Sequence, residues 1–426
     1  MADDAPFLKG RHDPRRAVPK TVQIVLDGFN LYHLQLHMIP RALAKELIEL
    51  FEQYPVVTLT GPRQSGKTTL ARATFPDLAY RNLEDPDTRL FATEDPVAFF
   101  RSIPDGAIID EFQRVPELTS RIQVLVDERR SNGQFILTGS QNFLTSDRIA
   151  QSLAGRTAIV RLLPFSIEEL RGHVPNLPAD VDTYLFRGMY PRVWDQGLDP
   201  VIAYGAYVET YLERDLRQLS HIKDLALFQR FLALCAGRVG QILNLSSLAD
   251  DAGISHKTAG EWISLLETSF VVFRLPPFHA NINKRLIKSP KLYFYDPGLA
   301  SWLIGIEDHG QIATHPLRGA LFENLVVNEL IKYRYNRVRR HNLMFFRDAK
   351  GHEVDLLMPQ PEGLIPIEIK SAATFRPDFF RGVDYFRSHI EPGPKGVVVY
   401  GGDRTEERSA GRLCNFFTLA DTLEYY

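Results

Sequence analysis

The segment GPRQSGKTT, at positions 61–69, constrains the fold of this chain more than any other stretch. It follows an apolar run at residues 56–60 and precedes a helix-forming segment. Glycines in such a loop let backbone N–H groups curl around phosphates, and the N-terminus of the following helix adds its dipole. Lys67 would reach the β- and γ-phosphates, and Thr68 would ligate Mg²⁺. The pattern predicts a strand, a phosphate-binding loop and a helix.

A second apolar run, at residues 107–109, ends in Asp110 and Glu111. A strand end fixes such side chains beside the phosphate-binding loop. We therefore predict that Asp110 holds Mg²⁺, directly or through water, and that Glu111 polarises the attacking water.

A third apolar run, at residues 134–138, is expected to lie between these two strands. It is followed by Ser140, Gln141 and Asn142, which would face the γ-phosphate as a sensor or form a simple polar turn. The residues predicted to contact ATP or its Mg²⁺ are Gly61, Pro62, Arg63, Gln64, Ser65, Gly66, Lys67, Thr68, Thr69, Asp110 and Ser140.

Further apolar runs at residues 79–83 and 157–163 alternate with helical stretches. This alternation predicts an α/β fold built on a parallel, doubly wound sheet. We expect this first domain to span residues 38–175.

The segments GPRQSGKTT, IIDEFQRVPEL, ILTGSQ and SLAGR together resemble a bacterial and archaeal family of AAA-type ATPases whose C-terminal half is a domain of unknown function. The resemblance runs from Met38 to the end of the chain and implies ATP and Mg²⁺ as ligands. In that family SLAGR precedes the last strand of the ATPase core, and Arg156 is the matching arginine. The resemblance implies that Arg156 stabilises charge on the γ-phosphate, in cis or from a neighbouring subunit of a homo-oligomer. A structural salt bridge is the alternative.

Residues 1–37 contain one predicted strand and a turn, TVQIVLDGFNLYH, with no further elements to pair with. The DGFN segment resembles the first strand of NYN-type nucleases, in which Asp27 would hold metal, but the remaining acidic positions of such a domain have no room here. We favour the interpretation that these residues are an extension upstream of a true start at Met38.

Residues 176–285 read as a helical region. Within it, LSSLADDAGISHKTAGEWISLLETSF predicts two helices joined by a turn at Gly253, with Ser255 as the N-cap of the second. The following FVVFRLPPF would be the first strand of a wing, so the pattern favours a winged helix that contacts DNA or serves as a protein-contact scaffold. If DNA is the partner, the groove would be read by His256, Lys257, Thr258 and Glu261.

The last predicted domain, residues 286–426, carries Asp355 in GHEVDLLMP, and Glu368 and Lys370 in GLIPIEIKSA. Because side chains alternate between the two faces of a strand, Glu368 and Lys370 should lie on one side and three isoleucines on the other. A helix, a strand with Asp, a turn and a strand with Glu-x-Lys resembles the PD-(D/E)XK nuclease core, although valine stands where that motif has proline. The resemblance implies that Asp355 and Glu368 hold Mg²⁺, that Lys370 positions the water, and that Glu323 is an extra acid. A strand pair with a surface Glu–Lys contact is the alternative.

The composition of the 426 residues is ordinary for two or three globular domains. Neither a run of about 18 apolar residues nor the apolar core of a signal peptide occurs, so we expect a cytoplasmic protein without a membrane partner. Cys235 and Cys414 are expected to be buried, reduced thiols. The net charge of −2 gives no bulk support for nucleic-acid binding. The basic run KYRYNRVRR, residues 332–340, would guide phosphates or form a solvated helix end.

These patterns predict a Mg²⁺-dependent ATPase whose nucleotide state controls a nuclease-like C-terminal module, with DNA as a candidate partner. The alternative is a nucleotide-gated signalling or scaffold protein whose inactive nuclease fold binds protein or nucleic acid.

Overall fold

The computed structural model describes residues 38–140, 153–212, 224–278 and 288–425. The strands of the first sheet are β1 (Val56–Thr60), β2 (Ala79–Asn82), β3 (Ala107–Asp110), β4 (Phe135–Gly139) and β5 (Thr157–Arg161). All five are parallel, and their spatial order is β2-β3-β4-β1-β5. As predicted, β4 lies between β1 and β3. Because all five strands run in one direction, their C-terminal ends lie along the same edge of the sheet.

Helices cover both faces of this sheet. Apolar clusters on the two faces bury β1 and β4 along their whole length, which explains why these strands read as continuous apolar runs. The helices of this part are Ala44–Gln53, Lys67–Thr74, Pro86–Glu94, Pro96–Arg101 and Leu118–Arg129, with a 3₁₀ turn at Phe112–Arg114.

A mainly helical region follows the sheet. Its α-helices are Ile167–Leu170, Val181–Arg187, Pro191–Asp195, Pro200–Tyr207, Leu225–Ala236, Leu245–Ala252, His256–Thr268, Pro297–Leu303 and His309–Thr314. A π-helical turn occupies Val208–Leu212. Two antiparallel strands, β6 (Val272–Leu275) and β7 (Lys291–Phe294), pair between the last helices.

The two helices predicted around Gly253 are present. Gly253 ends the first in the left-handed conformation with φ of 76°, and the Ser255 hydroxyl accepts the main-chain N–H of Thr258 at 3.0 Å. Lys257 and Glu261 are exposed on the second helix and form an ion pair at 3.8 Å. The winged-helix assignment stays a prediction, as does a role in DNA contact.

The C-terminal part has a six-stranded sheet. Its strands are β8 (Met344–Arg347), β9 (Glu353–Gln360), β10 (Gly363–Lys370), β11 (Gly396–Tyr400), β12 (Glu406–Glu407) and β13 (Gly411–Asn415). Their spatial order is β12-β13-β11-β10-β9-β8. Its helices are Arg318–Tyr335, Arg381–His389 and Leu419–Leu423, with 3₁₀ turns at Pro377–Phe380 and Phe416–Thr418. The strands β8, β9 and β10 are antiparallel neighbours, whereas β10, β11 and β13 are parallel.

One large hydrophobic cluster joins the helical region to the C-terminal sheet. It extends from Leu163 through Phe231 and Leu325 to Leu423, so these regions share a core. Both Cys235 and Cys414 are buried free thiols, as predicted.

The interpretations of residues 1–37, including Asp27, lie outside the described residues, and so do Gln141 and Asn142. Within the part of the chain that the structure describes, no helix has the length and apolar character needed to cross a membrane.

Candidate functional site

The phosphate-binding loop follows β1 at the C-terminal edge of the first sheet and leads into the helix Lys67–Thr74. Gly61 and Gly66 have φ of 148° and 91°, conformations that residues with a side chain rarely adopt. A Cβ atom at Gly61 would lie 2.1 Å from the carbonyl oxygen of Leu162. The loop therefore requires glycine at Gly61 for space as well as for conformation.

The ammonium group of Lys67 lies inside this loop. Its Nζ donates to the carbonyl oxygens of Gly61 at 2.9 Å and Pro62 at 2.7 Å. Burial lowers the pKa of Lys67 to about 8, although the carboxylates of Glu111 and Asp110 oppose this effect. A phosphate group would replace the two neutral acceptors with a charged one, which makes stronger hydrogen bonds.

Asp110 is buried at the end of β3 and accepts four hydrogen bonds. Its Oδ2 accepts the hydroxyls of Thr68 at 2.8 Å and Tyr80 at 2.7 Å. Its Oδ1 accepts the hydroxyl of Thr138 and the main-chain N–H of Glu111, the latter at 3.1 Å. The structure thus brings together Thr68 and Asp110, the two side chains predicted to hold Mg²⁺.

Glu111 has a backbone φ of 54°, in the left-handed region that a glutamate adopts only when its surroundings hold it there. The amide nitrogen of Gln113 donates to Glu111 Oε2 at 2.5 Å and to Ser140 Oγ at 3.1 Å. Ser140, predicted to be a γ-phosphate sensor, therefore lies against the Gln113–Glu111 pair.

A cavity of about 510 Å³ opens beside the loop, a size typical of small-ligand sites. One wall is formed by the loop and Glu111, and the other by the helical region. The residues of that second wall are Pro191, Arg192, Asp195, Gln196, Thr210 and Tyr211. No sequence motif indicates this wall, because its residues lie more than 120 positions beyond the loop in the sequence.

The position of Arg156 does not fit a role on the γ-phosphate of its own subunit. Arg156 precedes β5, whose first residue pairs with Val56, whereas the phosphate-binding loop follows the other end of β1. The arginine is separated from the loop by the length of a five-residue strand, roughly 16 Å. Its Nε and Nη2 donate to the carboxylate of Asp127 at 2.7 and 2.8 Å. Arg156 thus forms a salt bridge within its own subunit, and a role on the γ-phosphate of a neighbouring subunit stays a prediction.

A second cluster of charged residues lies in the C-terminal sheet. As predicted, Glu368 and Lys370 lie on the side of β10 opposite the isoleucines, which belong to the shared core. The Lys370 ammonium contacts Glu368 Oε2 directly and Asp355 Oδ2 at 3.3 Å. The main-chain N–H of Ile369 also donates to Asp355, at 2.8 Å. Asp355, Glu368 and Lys370 therefore converge.

A bulge in β9 at Asp355 and Leu356 lies beside this cluster. Met344 pairs with Leu357, and Phe346 pairs with Val354, so that two residues of β9 face one residue of β8. Such bulges re-aim a side chain and recur next to functional sites.

Glu323, predicted to be an extra acid, forms an ion pair with a different lysine, Lys291. Its carboxylate accepts from Lys291 at 2.9 Å and from the hydroxyl of Tyr293 at 2.5 Å, both on β7. Lys291 also forms an ion pair with Glu353 at 2.7 Å. Each of the two lysines, Lys291 and Lys370, thus lies between two carboxylates.

The pKa values in this cluster follow from burial and from the lysines. Burial and the neighbouring Asp355 carboxylate raise the pKa of Glu368 to about 8, because Lys370 only partly offsets them. Burial also disfavours charge on Asp355, but Lys370 and Lys291 outweigh it and hold the pKa of Asp355 below its usual value. Within the described residues, no group of three or more His, Cys, Asp or Glu side chains is arranged to hold a metal ion.

The basic run at residues 332–340 is mostly engaged within the protein. Lys332 is buried, and its Nζ donates to Phe165 O and Glu329 Oε1, each at 2.8 Å. Arg334 is also buried and donates to the carbonyl oxygen of Arg340 at 2.7 Å. These two side chains are neither a solvated helix end nor a surface that guides phosphates.

Three domain families match successive parts of the chain. An AAA domain family matches residues 53–171, and two domains of unknown function, DUF8612 and DUF4143, match residues 178–310 and 318–419. The AAA match covers the loop, Asp110 and Glu111. The chain therefore carries a P-loop ATPase domain of the AAA type, as the sequence motifs indicated.

Two relatives extend over most of the chain. An uncharacterized protein of Mycobacterium tuberculosis is 32% identical over 340 residues, which cover 78% of this chain and 74% of that protein. An uncharacterized protein of Haemophilus influenzae is 22% identical over 324 residues, which cover 68% of this chain and 78% of that protein. This chain belongs to the family of the mycobacterial protein.

Among solved structures, a Walker-type ATPase of Pyrococcus abyssi superimposes with a TM-score of 0.43 at 18% identity. The superposition covers 61% of this chain and 94% of that one.

Proposed function

We propose that this protein binds ATP together with Mg²⁺ and hydrolyses it. The observation that carries the proposal is the 2.8 Å contact between Thr68 Oγ1 and Asp110 Oδ2, directly beside Lys67. A hydroxyl and a carboxylate on adjacent strand and helix ends form the oxygen donor set that Mg²⁺ prefers when it also binds phosphates. The buried hydroxyl of Ser65 has no partner among the described residues, which is consistent with a polar ligand in the loop.

In this proposal, Thr68 and Asp110 hold Mg²⁺, which neutralises charge on the phosphates when bound. The main-chain N–H groups of the loop and the ammonium of Lys67 bind the β- and γ-phosphates. Glu111, fixed at the end of β3, accepts a hydrogen bond from the attacking water and orients it.

The test is ATP hydrolysis with Mg²⁺ or with EDTA, in the wild type and in Glu111→Gln. We expect turnover only with Mg²⁺, and a loss of about 100-fold or more in Glu111→Gln with ATP binding retained, because a positioned base contributes that much. Glu117→Gln is the matched control, since Glu117 is exposed nearby. Equal turnover in wild type and Glu111→Gln would remove the catalytic role of Glu111, and no turnover in the wild type would contradict the proposal.

For the C-terminal part we propose a nuclease-like fold that binds a partner, with DNA as the candidate, rather than one that cleaves it. A helix, three antiparallel strands, a helix and a parallel strand support the nuclease-like fold, and the convergence of Asp355, Glu368 and Lys370 agrees with its motif. Carboxylates are suitable ligands for Mg²⁺. The arrangement of these two does not suit the ion, because the Lys370 ammonium lies between them. Glu368 is 4% exposed, and its Oε1 lies 1.8 Å from where a Cβ at Gly382 would be.

Cleavage and binding of single-stranded, duplex and branched DNA, with Mg²⁺ or Mn²⁺ and with or without ATP, distinguish the two roles. Binding without cleavage supports our proposal. Cleavage by the wild type that is lost in Asp355→Ala and in Glu368→Ala would instead establish a nuclease regulated by the ATPase domain. Mass measurement of the protein with ATP would show whether a homo-oligomer forms, which the in-trans role of Arg156 requires.

A further inference from the structure

Arg41 lies three positions before the helix Ala44–Gln53, yet its side chain reaches the back of the phosphate-binding loop. Its Nη1 donates to the carbonyl oxygen of Ser65 at 2.6 Å, and its Nη2 donates to that of Leu163 at 2.6 Å. Its Nε donates to Glu169 Oε1 at 3.0 Å. The guanidinium is therefore fixed by acceptors from two segments that are about 100 residues apart in sequence.

The contact with Ser65 determines how the loop presents one of its N–H groups. In a trans peptide, the carbonyl and the N–H of the next residue point in opposite directions. Because Arg41 holds the carbonyl of Ser65, the N–H of Gly66 points away from Arg41. The φ of 91° at Gly66 is part of the same local geometry, and the Cγ of Pro191 lies 4.0 Å from where a Cβ at Gly66 would be.

The carboxylate that holds Arg41 is buried and hydrogen-bonded on both of its oxygens. Arg41 and Glu169 are only 7% and 2% exposed, and the Glu169 carboxylate also accepts the main-chain N–H groups of Ala42 at 2.9 Å and Ser166 at 2.8 Å. Burying an ion pair brings little net stability, because desolvation of the two charges offsets their attraction. A buried, fully hydrogen-bonded pair at this position is therefore better explained by the geometry that it imposes.

The segment that carries Glu169 is also held from the C-terminal part. The N–H of Ile167 donates to Glu329 Oε2 at 2.8 Å, and Lys332 Nζ donates to the carbonyl oxygen of Phe165 at 2.8 Å. Both partners lie on the long helix Arg318–Tyr335. This helix fixes the segment from which Glu169 holds Arg41.

We propose that Arg41 is a positioning residue for nucleotide binding: it holds the Ser65 carbonyl from behind, so that the loop N–H groups face the phosphates. The inference rests on the proposed function, because it needs ATP as the ligand. A lysine at this position keeps the charge but lacks the planar fork that reaches three acceptors.

The test is the dissociation constant for ATP with Mg²⁺ in the wild type, Arg41→Lys, Lys67→Ala and Arg274→Lys. Arg274→Lys is the matched control, because Arg274 also makes a bidentate ion pair, with Glu267, but on β6. We expect Arg41→Lys to weaken ATP binding by roughly tenfold or more, because the hydrogen bond from the charged guanidinium to the Ser65 carbonyl is lost. Arg274→Lys should leave the affinity unchanged, and the melting temperature without nucleotide will show that both variants are folded.

An affinity of folded Arg41→Lys within twofold of the wild type overturns the inference and leaves the proposed function intact. If Arg41→Lys does not fold, Glu169→Gln is judged by the same criterion, because it keeps the size of the side chain and removes the charge that orients Arg41. A wild type that binds ATP no better than Lys67→Ala would instead overturn the proposed function itself.

Discussion

Two lysines, Lys67 and Lys370, each lie near a pair of carboxylates, but their surroundings shift their pKa values in opposite directions. Lys67 donates to main-chain carbonyls beside an open cavity, and burial lowers its pKa to about 8. Burial also disfavours charge on Lys370, but contacts with Asp355 and Glu368 outweigh it and raise the pKa of Lys370. The positive charge of a lysine that donates to carbonyl oxygens is available to an incoming anion. The positive charge of a lysine that contacts carboxylates is already balanced by theirs. We therefore expect the same side chain to bind a ligand in one domain and to stabilise a charged cluster in the other.

The largest expected effect is on the free energy of unfolding, which Lys370→Met should lower and Lys67→Met should not. Lys370→Met leaves Asp355 and Glu368 without their cation, and we expect the free energy of unfolding to fall by about 2–3 kcal/mol, less than for a fully buried pair because Lys370 is partly exposed. Lys67→Met removes a buried charge whose hydrogen bonds go only to neutral carbonyl oxygens. The free energy of unfolding should therefore be unchanged or slightly higher. Urea unfolding of both variants without nucleotide measures the difference. Equal destabilisation by the two substitutions would contradict the comparison.

Gly382→Ala tests how closely the C-terminal cluster is packed. A Cβ at this position would lie 1.8 Å from Glu368 Oε1 and 2.5 Å from the carbonyl oxygen of Glu353. We expect a loss of about 1–3 kcal/mol in unfolding free energy, since an overpacked site must shift its neighbours. Gly260→Ala is the control, because this helical glycine has open space around it, and alanine should stabilise by about 0.5–1 kcal/mol. A neutral Gly382→Ala would show that Glu368 moves freely.

The smallest expected effect, taken per pH unit, is a change in the slope of stability against pH. The pKa of Glu368 is raised to about 8 in the folded chain, so the folded state keeps a proton that the unfolded chain loses above about pH 4.5. This contribution is complete below pH 4.5 and is lost as pH rises toward 8, with a slope of at most about 1.4 kcal/mol per pH unit. Glu368→Gln should remove this slope, whereas the exposed Glu362→Gln should retain it. Melting temperatures of both variants between pH 5 and 8 provide the measurement, and an unchanged slope in Glu368→Gln would refute the assignment.

Local patterns predicted much of the first domain. The loop, the strand that ends in Asp110 and the position of β4 all follow from apolar runs and glycine spacing, which act over a few residues. The alternation in β10 likewise predicted that Glu368 and Lys370 share a side. These features depend on backbone geometry that a short sequence determines by itself.

The missed features depend on contacts between distant segments. Arg41 and the cavity wall around Tyr211 have no motif in common with the loop that they adjoin. The bulge in β9 depends on its register with β8, and the cation of Glu323 comes from β7. The motif of Arg156 predicts a role on a γ-phosphate, but the strand register places this arginine at the edge of the sheet opposite the loop of its own subunit.

Calorimetric titration of Mg²⁺ and ATP into the wild type, Lys67→Met and Lys370→Met tests the difference between the two lysines most directly. We expect one ATP site per chain in the wild type, no measurable binding in Lys67→Met, and wild-type affinity in folded Lys370→Met. Retained ATP binding in Lys67→Met would contradict the assignment of the loop as the nucleotide site. Loss of ATP binding in folded Lys370→Met would contradict the distinction between the two lysines.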